Sequence, residues 1–97
     1  MLTNRKIVLD YNFTNSSYLE DITVRVSEII EKILNQPVQN IEPDLELNII
    51  GLNSMMTVIL VVELEEAFNI TFDDSELLYS YFSTIHKIVS LLLEKLK

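Results

Sequence analysis

Gly51-Leu52-Asn53-Ser54-Met55-Met56-Thr57-Val58-Ile59-Leu60-Val61-Val62-Glu63-Leu64-Glu65-Glu66-Ala67-Phe68-Asn69-Ile70 is the stretch on which the fold turns. Its only glycine precedes a run of fifteen residues without a breaker, from Ser54 to Phe68, and the spacing predicts a helix over that run. Two apolar stripes run along it. Thr57, Leu60, Val61, Leu64 and Phe68 make one; Met55, Val58 or Ile59, and Val62 make the other, which ends in Glu65 and Glu66. A small bundle buries one face of such a helix, so the second, rimmed with acids, is expected to be a docking surface. The competing expectation is a central helix buried nearly all round.

Outward from this helix the chain stays helical. Upstream, Leu19, Ile22, Val26, Ile29 and Ile33 recur at steps of three and four, with Ile30 and Leu34 widening the face. Ser17 and Glu20 have capping-box spacing, so a first helix is predicted over Tyr18–Leu34, closed by Asn35 and Pro37. A long loop, Gln36–Asn53, joins the two helices, and its apolar side chains are expected to pin it to the bundle. Downstream, one or two short turns are expected over Asn69–Phe82, with Phe72, Leu77, Leu78, Tyr79 and Phe82 as core plugs. Ser83 is the expected N-cap of a last helix buried through Ile85, Ile88, Val89, Leu92 and Leu96. Residues 1–16 form a separate N-terminal extension. Ile7, Leu9, Tyr11 and Phe13 alternate there with other residues, which suggests an extended segment before the domain at 17–97.

Composition agrees with a small all-α domain. The chain has 97 residues, nearly half of them apolar, with one Gly and two Pro, too few breakers for a strand-and-turn sandwich. Without cysteine there is no disulfide and no thiolate metal site. The longest apolar stretch, Val58–Val62, is far too short to span a bilayer, and Met1–Asp10 lacks the pattern of a secretory signal; a cytoplasmic monomer is expected. Net charge is −8, and nine carboxylates but no Lys or Arg lie between Ile33 and His86. Such a block lacks the basic footprint that nucleic acid requires and suits a partner with a basic patch.

Catalytic chemistry finds little support. His86 is the sole histidine, with no second ligand for a metal, and Glu65 and Glu66 are adjacent and so do not face each other on a helix. An enzyme using Ser54 and His86 would need an oxyanion loop and a pocket, neither of which the sequence signals. Ser54 at a helix start is different. Free N–H groups and the positive dipole end favour a phosphate ester on its oxygen, although a plain N-cap role for Ser54 or Asn53 explains the same residues.

The run Gly51-Leu52-Asn53-Ser54-Met55, continuing to Leu64-Glu65-Glu66-Ala67-Phe68, resembles the acyl and peptidyl carrier proteins, whose signature is Gly-x-Asp-Ser-Leu followed by a helix ending in Leu-Glu-Glu-x-Phe. Phe82-Ser83-Thr84-Ile85 and Ile88-Val89 look like the entry to the family's last helix, and the resemblance spans about Leu19 to Leu96. It implies a four-helix carrier bundle of three main helices and one short one. It also implies a 4′-phosphopantetheine arm from coenzyme A, attached at Ser54 by a separate magnesium-dependent transferase, with Gly51 and Asn53 beside it. The arm would hold acyl or aminoacyl groups as thioesters, delivered by a loading enzyme and used by downstream biosynthetic enzymes. Met55, Met56, Ile59, Val62, Glu65 and Glu66 would meet these partners.

Two departures refine the expectation. Asn53 stands where the motif has aspartate, as is frequent in peptidyl-type carriers, and Met56 and Ile59 stand where fatty-acid carriers tend to show carboxylates. A free-standing carrier of nonribosomal peptide or polyketide type follows. A D-alanyl or fatty-acid carrier is the alternative within the class, and a helical interaction domain without a prosthetic group is the alternative outside it.

Overall fold

The computed structural model describes residues 11–37 and 41–96, with side chains from Tyr18 onward. Three main helices carry the architecture: α1 (Tyr11–Leu34), α2 (Ser54–Phe68) and α3 (Ile85–Lys95). Short 3-10 turns at Leu47–Ile50, Asp74–Glu76 and Tyr79–Phe82 fill the connections, the last two in the stretch where one or two short turns are expected, and the whole is the expected small helical bundle. There is no strand among the described residues.

The α1 helix begins seven residues earlier than its sequence pattern suggests. The chain is helical from Tyr11, which overturns the extended reading for residues 11–16; Ile7 and Leu9 lie outside the described residues. Ser17 therefore falls inside the helix and not at its start. Once the apolar face further along has nucleated a helix, each added residue fixes only its own backbone and gains a hydrogen bond, so Asn12, Thr14, Asn15 and Ser16 are carried along despite weak propensity. The buried stripe is Ile22, Val26 and Ile30, and Leu19, expected on it, is exposed. At the other end Asn35 takes the left-handed conformation, φ 55°, that closes the helix.

The core is one contiguous cluster. Ile22, Val26 and Ile30 of α1 meet Leu60 and Leu64 of α2 and Ile85, Ile88, Val89, Leu91 and Leu92 of α3. Leu47 and Leu52 plug it from the first loop, and Phe72 and Phe82 from the second, their rings edge to face with centroids 5.4 Å apart. Leu77, Leu78 and Tyr79, expected in the core, are exposed. Leu77 and Leu78 join the turns Asp74–Glu76 and Tyr79–Phe82, and Tyr79 opens the second.

The long first loop is held at both its middle and its end. The Leu47 N–H donates to the Ser83 carbonyl at 2.8 Å, and the His86 N–H donates to the Pro43 carbonyl at 2.9 Å, tying the loop to the entry of α3. The Gln36 side chain adds a bond to the Ile50 carbonyl at 3.2 Å. The N-cap of α3 is Thr84 and not Ser83: the Thr84 hydroxyl accepts from the Lys87 N–H at 3.1 Å, and its backbone is extended. Ser83 is in the right-handed helical region, closing the preceding 3-10 turn with its hydroxyl on the Ser80 carbonyl.

The candidate attachment site and its flanking face

Local chemistry at the start of α2 places Ser54 in the open. Gly51 ends the 3-10 turn Leu47–Ile50 at φ 110°, a conformation that L side chains rarely adopt, while its N–H points back to the carbonyls of Leu47 and Asn48. The glycine is there for its backbone: an added Cβ would meet nothing closer than the Leu34 Cδ2 atom at 3.8 Å. Leu52 then dives into the core, 1% exposed, and anchors the next step of the chain.

Asn53 is the N-cap. Its backbone is extended, its side-chain oxygen accepts from the Met56 N–H at 2.8 Å, and its carbonyl accepts from both the N–H and the hydroxyl of Thr57. That division of labour assigns the cap to Asn53. The cap is Asn53, so the Ser54 hydroxyl has no capping duty; Ser54 is exposed, and its side chain makes no hydrogen bond to the described residues. The N–H groups of Ser54 and Met55, in the first turn of the helix, have no intrahelical acceptor and sit at the positive end of the helix dipole. A phosphate ester on the Ser54 oxygen therefore fits the place in both room and charge.

The two stripes of α2 separate cleanly. Thr57, Leu60 and Leu64 are buried and Val61 and Phe68 half-buried, whereas Met55 (75% exposed), Val58 (64%), Ile59 and Val62 face outward. Helix α2 is not buried all round. Of the residues expected to meet partners, Met56 is half-buried and packs against the core, so it offers only part of its surface. Glu65 is half-buried, and its carboxylate accepts from the Phe72 N–H at 2.9 Å, fastening the second loop to α2; Glu66 is exposed. Glu63 pairs with Lys32 across α1 at 3.0 Å. At the far end of α2, the Arg25 guanidinium donates to the Ala67 carbonyl at 2.6 Å and lies 4.3 Å over the Phe68 ring, a cation set against the negative end of the dipole.

Sequence reasoning missed the continuation of this face. Leu77, Leu78 and Tyr79, all exposed, join Val58 and Val61 around a cavity of about 160 Å³ floored by Thr57 and Phe82. Their apolarity was visible in the sequence, but no periodicity set an inward or outward direction for them. The second loop is clasped to α3 by Glu76, whose carboxylate takes the Lys95 ammonium at 2.9 Å and the Asp73 N–H at 2.7 Å. The Lys95 hydrogen bond holds the Glu76 carboxyl below its ordinary range, and the same bond raises the Lys95 ammonium.

His86 pairs with Asp44 at 3.1 Å, both exposed, and no hydrogen bond joins it to Ser54. No group of three or more His, Cys, Asp or Glu side chains is arranged to hold a metal among the described residues. No described helix is long and apolar enough to cross a membrane.

No curated protein matches the chain. A family model described as the phosphopantetheine attachment site matches residues 24–92, from within α1 to Leu92 in α3. That span holds most of the three-helix core, the left-handed joint and the open serine, and the chain belongs to the phosphopantetheine attachment family, the acyl and peptidyl carrier proteins, which carry their cargo on a prosthetic arm and do not catalyse.

Proposed function

We propose that Ser54 is the residue that receives the 4′-phosphopantetheine arm. The observation that carries this is the separation of roles at the α2 entry: Asn53 caps the helix, leaving an exposed serine hydroxyl free of partners at the positive helix end. When attached, the arm supplies a thiol, which a chain without cysteine cannot offer, and so a place for acyl or aminoacyl thioesters. The protein's own part is positional. Leu52 in the core and the capped first turn fix the serine, and a tethered substrate is held at a local concentration set by the tether.

The enzymes served are a phosphopantetheinyl transferase, a loading enzyme and downstream biosynthetic enzymes, all approaching the outward stripe of α2. Met55, Val58, Ile59 and Val62 make that stripe apolar, with Glu66 at its end. This supports partners of nonribosomal peptide or polyketide type above those of a fatty-acid carrier, whose docking faces are mainly charged. Methionine at such a surface adapts to more than one partner.

The test is intact mass after incubation with coenzyme A, magnesium and a broad-specificity transferase. One phosphopantetheine added to the parent and none to Ser54→Ala is the expected result. A parent whose mass does not change, or a Ser54→Ala variant that is still modified, would overturn the assignment.

A further inference from the structure

The outer face of α3 carries a short seam. Lys87, Ser90 and Glu94 are exposed along it, and Leu91 borders it on the side of the core. Lys87 and Glu94 are two turns apart and so lie on one line down the helix, with Ser90 between them. Beside the seam runs a groove of about 510 Å³, with Ser80 and Tyr81 of the second loop on its far side. No residue of α2 lines it.

Charge says what fits this face. From Ile85 to Lys97 there are three Lys and one Glu, so α3 lies outside the acidic block that would drive two copies of a chain of net charge −8 apart at α2. Lys95 is taken by Glu76 and His86 by Asp44, whereas the Lys87 ammonium has no carboxylate partner among the described residues. The seam is self-complementary. A two-fold axis passing between Ser90 and Leu91 lies about 5 Å along the helix from Lys87 on one side and from Glu94 on the other. A second α3 laid antiparallel about that axis sets Lys87 of each copy against Glu94 of the other, the isologous pattern of a two-fold interface. Ser90, at the crossing, is small enough for close approach, and the exposed Tyr81 ring stands beside it to be covered.

We propose that this face joins two copies of the chain as an antiparallel two-fold dimer through α3, in place of the monomer expected from the sequence. Because α2 takes no part in the groove, both Ser54 hydroxyls stay open, and the dimer presents two serines to the same partner enzymes. The eleven residues of α3 span about 16 Å, which puts the contact at the small end of specific interfaces. The dimer therefore dissociates with a Kd on the order of 100 µM.

Sedimentation equilibrium of the full chain, from about 10 µM to about 1 mM, is the test. The parent's mass should rise from 11.3 kDa toward twice that value. Lys87→Glu and Glu94→Lys should each raise Kd about tenfold or more, because like charges then oppose each other at both ends of the seam. An equimolar mixture of the two variants should regain the parental affinity, since each supplies the charge that the other lacks. Glu near the start of α3 and Lys near its end suit the helix dipole, so both variants should keep the parent's melting behaviour. If one melts early, the other carries the comparison with the parent, and the double variant Lys87→Glu/Glu94→Lys, whose seam is again complementary, replaces the mixture. A parent that stays monomeric at about 1 mM overturns the proposal. So does a dimer that neither reversal weakens, because the contact would then lie on another face. Recovery in neither the mixture nor the double variant also overturns it, because the two charges would then not be opposed.

Discussion

Asn53 shows how much one side chain can settle. Where the family motif has aspartate, this chain has the neutral amide, and its oxygen still accepts from the Met56 N–H. The capping function therefore survives while the charge does not. Asn53→Ala should cost about 1 kcal/mol of stability through the lost cap, measured by urea or thermal unfolding. Asn53→Asp should keep the cap and match or slightly exceed the parent, because a carboxylate is favoured at the positive helix end. If alanine were as stable as asparagine, the cap would not be holding the first turn in place. The residue scale was legible in part: the sequence offered both Ser54 and Asn53 as the cap of this helix, and only geometry assigns the cap to Asn53.

Elements were legible where periodicity and caps coincided. The ends of α2 follow directly from Asn53 and from Asn69, which takes the left-handed conformation at φ 54°. The start of α1 was not legible, because the alternation of Ile7, Leu9, Tyr11 and Phe13 has the period of a strand while helix propagation depends on what lies downstream. Leu77, Leu78 and Tyr79 failed for a related reason: the first two lie between two 3-10 turns and Tyr79 opens the second, and elements of three or four residues are too short for an apolar pattern to define a face. What anchors that segment is the Lys95–Glu76 clasp, and it makes a prediction in pH. The depressed Glu76 carboxyl contributes stability present above its unfolded value near 4.5 and lost as pH falls through its lower folded value. The raised Lys95 ammonium contributes stability present below 10.5 and lost as pH rises through its higher folded value. Lys95→Met should therefore lower melting temperature at neutral pH and flatten its decline at both acid and alkaline extremes. A variant whose pH profile runs parallel to the parent's would show that the pair is only a surface contact.

At the scale of the molecule, a 97-residue chain rests on a single thin core. Leu60 is wholly buried at the centre of the inward stripe of α2, where that helix meets α1. Leu60→Ala should cost about 2–5 kcal/mol, a large part of the total stability expected at this size, and should be visible as premature melting or outright unfolding. A shift of under about 1 kcal/mol would mean that the core collapses around the missing atoms. The all-helical class was readable from the scarcity of breakers and from the three periodic runs, whereas the ties between the first loop and α3 were not. Backbone bonds such as Leu47 to Ser83 join positions far apart in the chain and leave no trace in side-chain pattern.

The joint at Gly51 has a consequence for how the protein can vary. Space around it is ample, yet its backbone twist belongs to the mirror-image half of conformational space. Crowding is thus no barrier to substitution there; handedness is. The direction in which the chain enters α2 is aimed by the chirality of the chain itself, at a turn that any bulkier L-residue could occupy in volume but not in twist.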